Sequence, residues 1–307
     1  MLQGMRVGVT GATGFLGTHI ARELLDRGAD VVGIVRSLER GAELEARGVT
    51  LRRADLMDPE ALVAAAEGLD ALVSNASPAV GGSDGDPQAL ISADRRATQN
   101  VVSASLAAGV PRFVHISSVA VYRMRLPWRS VREDHPRRTA AGRRWPRRWL
   151  DLGALVTRPG YADSKAVSEE IVWAATAQGL RPTVLRPGPV YGSRDTKLLG
   201  RYLAAMEQRI RVVPGIGLPH VHAGDVAAAV VGALVNEQSI GRAYNVTDAP
   251  RSLLSVARTV RAIRGHGPVL IGIPLPLWIA WDNSAAQRDL GVRYRSLDDG
   301  MREALAP

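Results

Sequence analysis

Val7-Gly8-Val9-Thr10-Gly11-Ala12-Thr13-Gly14-Phe15-Leu16-Gly17 reads as an apolar strand, a glycine turn and the start of a helix. Each glycine has its own physical reason in such a turn. Gly11 permits the tight bend, Gly14 lets the backbone approach a pyrophosphate, and Gly17 lets the helix pack closely on the sheet. The helix start offers free N–H groups and the positive end of its dipole to phosphates. The stretch therefore predicts a dinucleotide site whose first contacts come from Thr10, Gly11, Thr13, Gly14, Phe15, Leu16 and Gly17.

Working outward, the front half alternates strand and helix. Strands are predicted at 5–10, 29–35, 49–53, 69–74 and 112–117. Helices are predicted at 15–27, 39–47, 59–66 and 89–108, with Gly28, Gly48 and Gly109 as stops. This alternation predicts βαβ units, a mostly parallel sheet and right-handed crossovers. Arg36 ends the second strand, and the stretch Ile34-Val35-Arg36-Ser37 contains no acid. An acid there would favour the free 2′-hydroxyl of NAD, whereas arginine complements the 2′-phosphate of NADP. NADP is the expected cofactor, with NAD as the alternative. Asp55 and Leu56 follow the third strand, where a carboxylate and an apolar cover suit an adenine. Asn75, Ala76 and Ser77 follow the fourth and would border the cofactor.

Tyr161 and Lys165 are four residues apart, one turn of a helix, and face the same way. The ammonium favours phenolate, so the phenol can pass a proton to or from a substrate oxygen. Ser117 and Ser118 end the fifth strand, where a hydroxyl can hold the same oxygen.

In sequence and spacing the chain resembles the extended short-chain dehydrogenase/reductase family, the NAD(P)-dependent epimerase/dehydratase group. The likeness is carried by TGATGFLG at 10–17, ADL at 54–56, HISS at 115–118, YADSK at 161–165, RPGPVYG at 186–192 and HAGDVA at 222–227. It implies a Rossmann-type, doubly wound parallel α/β sheet with a small C-terminal substrate-binding lobe. It also implies that Ser118, Tyr161 and Lys165 are catalytic, and that Ser117 and Lys165 touch the cofactor. Pro187 and Gly188 would lie beside the nicotinamide, and Tyr191, with Ser118 and Tyr161, would touch substrate. His222 and Asp225 resemble a motif between the two lobes, with a structural reading favoured for Asp225. The implied chemistry is hydride transfer at the nicotinamide. Arg36 tips the reading toward an NADP-linked reductase of a small-molecule carbonyl. A sugar-nucleotide epimerase is the runner-up, and a dinucleotide-binding regulatory protein without turnover is the reading from another class. Val119-Ala120-Val121, just after the serine, lacks the extra acid/base pair of a dehydratase. Dimerisation through the Tyr161 helix is implied by likeness alone.

The organisation expected is a dinucleotide-binding domain over 1–189 and a mainly substrate-binding lobe over 190–307, with 221–248 returning to the first domain. Further helices are expected at 198–206, 226–235, 252–263 and 297–305, the third capped by Ser252. An Arg/Trp/Pro-rich insertion at 123–158 interrupts the pattern. Residues 123–150 hold ten arginines against Glu133 and Asp134, which is +8 of the net +9 of the 307-residue chain. Such a segment suits a lid or an acidic, phosphate-bearing substrate; a nucleic-acid partner is not expected, since the basic balance rests on one stretch. The chain has no cysteine, which excludes disulfides, thiolate metal sites and a thiol nucleophile and fits a reducing, cytoplasmic setting. The six residues Met1 to Arg6 are too short and polar for a signal peptide. No metal site and no integral membrane segment are expected. Val269 to Trp281 is strongly apolar but too short and proline-rich to span a bilayer. Core packing is its expected role, with a lipophilic substrate wall or an oligomer face as alternatives.

Overall fold

A computed structural model describes residues 2–78, 86–123, 130–138, 160–275 and 277–306. The chain begins with β1 (Arg6–Thr10), α1 (Phe15–Asp26), β2 (Asp30–Val35), α2 (Ala42–Glu45), β3 (Thr50–Arg53), α3 (Pro59–Ala66), β4 (Ala71–Ser74), α4 (Pro87–Ala107) and β5 (Arg112–Ile116). It continues with α5 (Tyr161–Ala174), β6 (Pro182–Pro187), β7 (Val190–Tyr191), α6 (Leu198–Met206), β8 (Ile210–Pro214), β9 (Gly217–Pro219) and β10 (Val221–His222). The last elements are α7 (Ala223–Val235), β11 (Ala243–Val246), β12 (Pro250–Ser252), α8 (Leu253–Arg264), β13 (Val269–Ile273), α9 (Ser284–Leu290) and α10 (Leu297–Leu305).

Seven strands form one sheet in the order β11-β6-β5-β4-β1-β2-β3, and every pairing in it is parallel. Parallel pairing requires a covering layer on each face, and β1, β4, β5 and β6 are accordingly buried almost throughout. The core lies in two layers. One unites Val7, Val9, Ile20, Leu24 and the apolar face of α7; the other unites Leu62, Leu72, Val101, Phe113 and Val172. The sheet grows outward in both directions from the β1/β4 pair. That pair is the topological switch point, beside whose carboxyl ends ligands sit in open α/β sheets.

Local signals explain where elements start. Asp58 and Asp86 accept from Ala61 N and Gln88 N, and each is followed by a proline in the first turn of its helix. Ser252 accepts from Ser255 N, as its predicted cap role requires. The predicted 39–47 helix is instead a 3-10 turn over Glu39–Gly41 followed by the short α2, where a Cβ on Gly41 would stand 2.5 Å from Leu51 Cδ1.

The Val269–Trp281 stretch departs from its expected role. Ile279 and Trp281 are buried with Val119, Val121 and Tyr122. Val269, Ile271 and Ile273, however, project outward from β13 and are about half exposed. Among the described residues β13 pairs only with β8 and α8 covers one face of that pair, so alternate side chains have no described residue above them. Among the described residues no helix is long and apolar enough to cross a membrane, and no group of three His, Cys, Asp or Glu side chains is placed to hold a metal.

Candidate active site

The glycine turn closes the carboxyl end of β1. Gly11 has φ +67, a left-handed conformation that favours glycine, and a Cβ there would lie 2.9 Å from Ala76 Cβ. At Gly17 a Cβ would stand 2.1 Å from the Gly11 carbonyl oxygen, so only glycine lets α1 come this close to the turn. Gly14 is different: its Cβ would meet only that carbonyl, at 3.2 Å, and otherwise open space. Gly14 caps α1 without a side-chain hydrogen bond, and no acid stands in the first turn. The orphan N–H groups of α1 thus face an open approach with no competing carboxylate, which fits a pyrophosphate.

Around this turn the predicted contacts divide. The Thr10 hydroxyl lies behind the loop, where it accepts from Asn75 N at 3.0 Å and Ala76 N at 3.1 Å. It ties the ends of β1 and β4 together, so the Asn75–Ser77 rim is held by Thr10. Ser77 donates to the buried Asp94 at 2.6 Å. Asp55 is exposed and accepts from Met57 N, while the Leu56 carbonyl accepts from Asn100. Arg36 follows β2 directly and is exposed. Thr13 and Leu16 are half-buried in the turn, and the Phe15 ring meets His19 edge-on at 5.6 Å.

On the other side of the switch point, Ser118 follows β5 by two residues and caps a 3-10 turn over Val119–Val121 through a hydrogen bond from Ala120 N. Tyr161 opens α5, and Lys165 follows one turn later, 8% exposed, with Nζ 3.5 Å from the Ile116 carbonyl. α5 packs on the Val119–Val121 turn, which brings serine, tyrosine and lysine to one region beyond the ends of β4 and β5. His115, of the HISS run, is not an acid/base group. Burial, then the charge of Lys165, holds its imidazole down at about 3, and it serves as a neutral core residue. Pro187 and Gly188 end β6, and a Cβ on Gly188 would lie 2.9 Å from Thr247 Cγ2.

Two predicted site residues are placed elsewhere. The Ser117 hydroxyl donates to Glu169 at 2.8 Å and is buried, so its work is inside the protein. Tyr191 is 3% exposed, packs in the core of the small lobe, and turns its hydroxyl toward α10 at Gly300. It is adjacent to the sequence motif but not to the open site, because the β7/β10 pair carries it toward His222, 5.3 Å away between ring centres. His222 caps α7 through a hydrogen bond from Gly224 N, and Asp225 is ion-paired with Arg295; both are structural in this geometry.

Sequence reasoning missed a buried polar cluster behind the serines. Arg186, 2% exposed, donates to both oxygens of Glu169 at 3.1 and 2.5 Å, to the Tyr122 hydroxyl at 2.6 Å and to the Glu133 carbonyl at 3.0 Å. Arg137 also pairs with Glu169, and Tyr122 donates to Asn245. The signal was present: Glu169 lies one turn beyond Lys165 on the same helix face, and Arg186 is a lone charge in an apolar strand. Of the basic insertion, residues 124–129 and 139–158 lie outside the described residues, including Arg125, Arg129, Arg143, Arg144, Arg147 and Arg148. In the described part, Arg137 and Arg138 are held by Glu169 and Asp163.

Gly160 stands at the cap of α5, just ahead of Tyr161. Its φ is +80, and a Cβ would lie 2.9 Å from Cα, Cβ and O of Pro87 at the start of α4. Gly160→Ala is expected to destabilise the fold by more than the ~1–2 kcal/mol that a left-handed backbone alone costs, read as a lower urea midpoint. An unchanged midpoint would mean that α4 and α5 are not locked at this contact.

The family model described as the NAD dependent epimerase/dehydratase family matches residues 7–247. A 2-alkyl-3-oxoalkanoate reductase of Stenotrophomonas maltophilia is 33% identical over 68% of this chain and 58% of its own length. Sterol demethylase protein B of Methylococcus capsulatus is 30% identical over 87% of this chain and 76% of its own. The UDP-glucose 4-epimerase of Thermus thermophilus, solved with NAD, superposes with a TM-score of 0.76 at 25% identity, covering 98% of this chain and 97% of that one. The chain thus spans less than two thirds of the reductase it matches.

Proposed function

As the chain belongs to the NAD dependent epimerase/dehydratase family, we propose that it is an NADP-linked reductase acting on the carbonyl of a small, largely apolar molecule. The observation that carries this reading is that α5, which bears Tyr161 and Lys165, packs on the turn that Ser118 caps, while Arg36 is exposed just after β2. The turn from Gly11 to Gly17 and the start of α1 would hold the pyrophosphate, Lys165 the nicotinamide ribose, and Arg36 the 2′-phosphate. The bound nicotinamide supplies the hydride. The chain's own residues do the rest: the Ser118 hydroxyl donates to the substrate oxygen and orients it. The Tyr161 phenol gives that oxygen its proton, and the neighbouring ammonium stabilises the phenolate left behind. The alkyl-bearing character proposed for the substrate comes from the relatives, since Val119, Val121, Ile279 and Trp281 beside Ser118 are packed in the core. The named activities of the two relatives, on an oxoalkanoate and a sterol, support the same class.

Mass spectrometry of the nucleotide carried by the purified protein, followed by NADP and NAD titration, tests the reading. A protein that comes empty and prefers NADPH supports exchange of cofactor at each turnover, as a reductase needs. Tightly retained NAD favours the epimerase reading, in which the cofactor is regenerated in place. Arg36→Ala is expected to weaken NADPH binding roughly ten- to a hundredfold, the worth of a charge-assisted contact, and to leave NADH unchanged. Equal losses for both cofactors would remove Arg36 from the 2′-phosphate.

A further inference from the structure

The β8/β13 pair presents an apolar face that no other part of the described structure covers. The two strands run parallel in register, Val269 beside Ile210, Ile271 beside Val212 and Ile273 beside Pro214. Ile210, Val212, Val269, Ile271 and Ile273 are each between 48% and 59% exposed. The alternate positions explain why: Val213 is buried in the small-lobe core, Leu270 packs against it, and Leu254 of α8 lies under Gly272. One face of the ribbon belongs to the core and the other is a continuous stripe of branched aliphatic side chains. The backbone contact continues past the strands through Gly215 N to Ile273 O and Gly217 N to Leu277 O. It carries the stripe on to the half-exposed Leu275 and Trp278, whose ring lies against Gly217. Single exposed apolar residues are ordinary, but five on one face of a paired ribbon, followed by the half-exposed Leu275 and Trp278, point to a contact surface.

Charge selects the occupant. Residues 197–214, 251–275 and 297–305, which build the small-lobe core, hold nine lysines and arginines against the four acids Glu207, Asp298, Asp299 and Glu303. Arg209 stands exposed at the start of β8, immediately before Ile210, and the exposed His266 precedes β13 at the same end. A second copy docking face to face would bring two such basic lobes together. An anionic bilayer accepts the aliphatic stripe and Trp278 in its interface and attracts the arginines around them. We propose that the β8/β13 face docks this protein on the surface of an anionic lipid bilayer, lying on the membrane without spanning it. The inference stands on exposure, register and charge and does not rest on the reaction proposed above.

The test is co-sedimentation of the full chain with phosphatidylcholine vesicles and with vesicles that also contain phosphatidylglycerol, at low and high salt. The comparison is the double variant Val212→Gln/Ile271→Gln. Both side chains are exposed and outside the catalytic region, and an unchanged dinucleotide titration verifies that the variant is folded. The wild-type protein is expected to pellet with phosphatidylglycerol vesicles and to be released by salt, and the double variant to partition about tenfold less. Equal binding by the variant would assign membrane affinity to another basic segment and overturn the proposal. So would no binding by the wild-type protein. Sedimentation of the wild-type protein as a dimer that the double variant dissociates would assign the face to a second copy, and would overturn it as well.

Discussion

Tyr161→Phe is expected to lower turnover roughly 10²–10⁴-fold, the usual contribution of a positioned acid, with the dinucleotide dissociation constant unchanged. Phenylalanine keeps the ring and α5, so the substitution removes a single proton donor. Tyr161 is the first residue of its helix and follows the left-handed Gly160, which fixes the angle at which the ring leaves the backbone. Lys165, one turn on, is nearly buried and sits beside the Ile116 carbonyl at the end of β5. Its ammonium is therefore held between the helix that carries the phenol and the strand that leads to Ser118. This arrangement separates the roles kinetically. Loss of the phenol acts on kcat, whereas Lys165→Met is expected to raise KM for the cofactor as well, because the same ammonium would hold the ribose. If Tyr161→Phe left turnover intact, the proton would come from elsewhere. If no turnover existed to lose while dinucleotide still bound, the chain would be a binding protein built on an enzyme scaffold.

How much of this was legible beforehand depends on how local the cause is. The helices Pro59–Ala66, Leu198–Met206 and Leu297–Leu305 match their sequence-based bounds residue for residue. At Pro59 the cause is two adjacent residues, an aspartate cap and a proline fit for the first turn. The same pair, Asp86-Pro87, starts α4 two residues earlier than the apolar periodicity indicates, and the periodicity cannot register it because Pro87 and Gln88 carry no apolar stripe. The glycine turn was readable because each glycine answers a separate steric demand within eleven residues. Side-chain partners were less readable, since they are set by contacts distant in the chain. A serine pair at a strand end does not reveal which hydroxyl faces in; Ser117 turns inward only because Glu169 and Arg186 meet there. The Val269–Trp281 stretch fails for the opposite reason. Its hydrophobicity reads as core, and only the pairing with β8 and the single covering helix determine that every second residue faces out.

Glu169→Gln tests the cluster that sequence reasoning missed. The Arg186 guanidinium is 2% exposed, and among the described residues Glu169 is the only carboxylate to which its hydrogen bonds run. Removing one partner from a buried ion pair leaves the other charge uncompensated, which costs about 3–5 kcal/mol. Arg137→Gln is expected to cost no more than ~1 kcal/mol, since its side chain is 36% exposed and solvent screens it. Urea midpoints of the two variants, at constant m, measure the difference. A small effect for Glu169→Gln would mean that Tyr122 and the Glu133 carbonyl suffice to hold Arg186. Acid titration gives an independent reading. Burial by itself would push the Glu169 carboxyl up. The hydrogen bond and charge of Arg186, followed by the Arg137 charge and the Ser117 hydroxyl, outweigh burial and hold it at about 2, below its ordinary value of 4.5. A carboxyl lowered by folding stabilises the folded state above its unfolded value, and that stability is lost as pH falls through the folded one. The contribution of Glu169 is therefore complete above about pH 4.5 and disappears toward pH 2, so the wild-type protein loses stability across that window and Glu169→Gln loses less. The same carboxylate anchors Ser117 beside Ser118. The glutamine variant is accordingly expected to reduce kcat even under conditions where it is fully folded, through displacement of the Ser118 hydroxyl and not through any contact of Glu169 with substrate. A folded variant with unaltered kcat would confine the cluster to stability and leave Ser118 held by the Val119–Val121 turn alone.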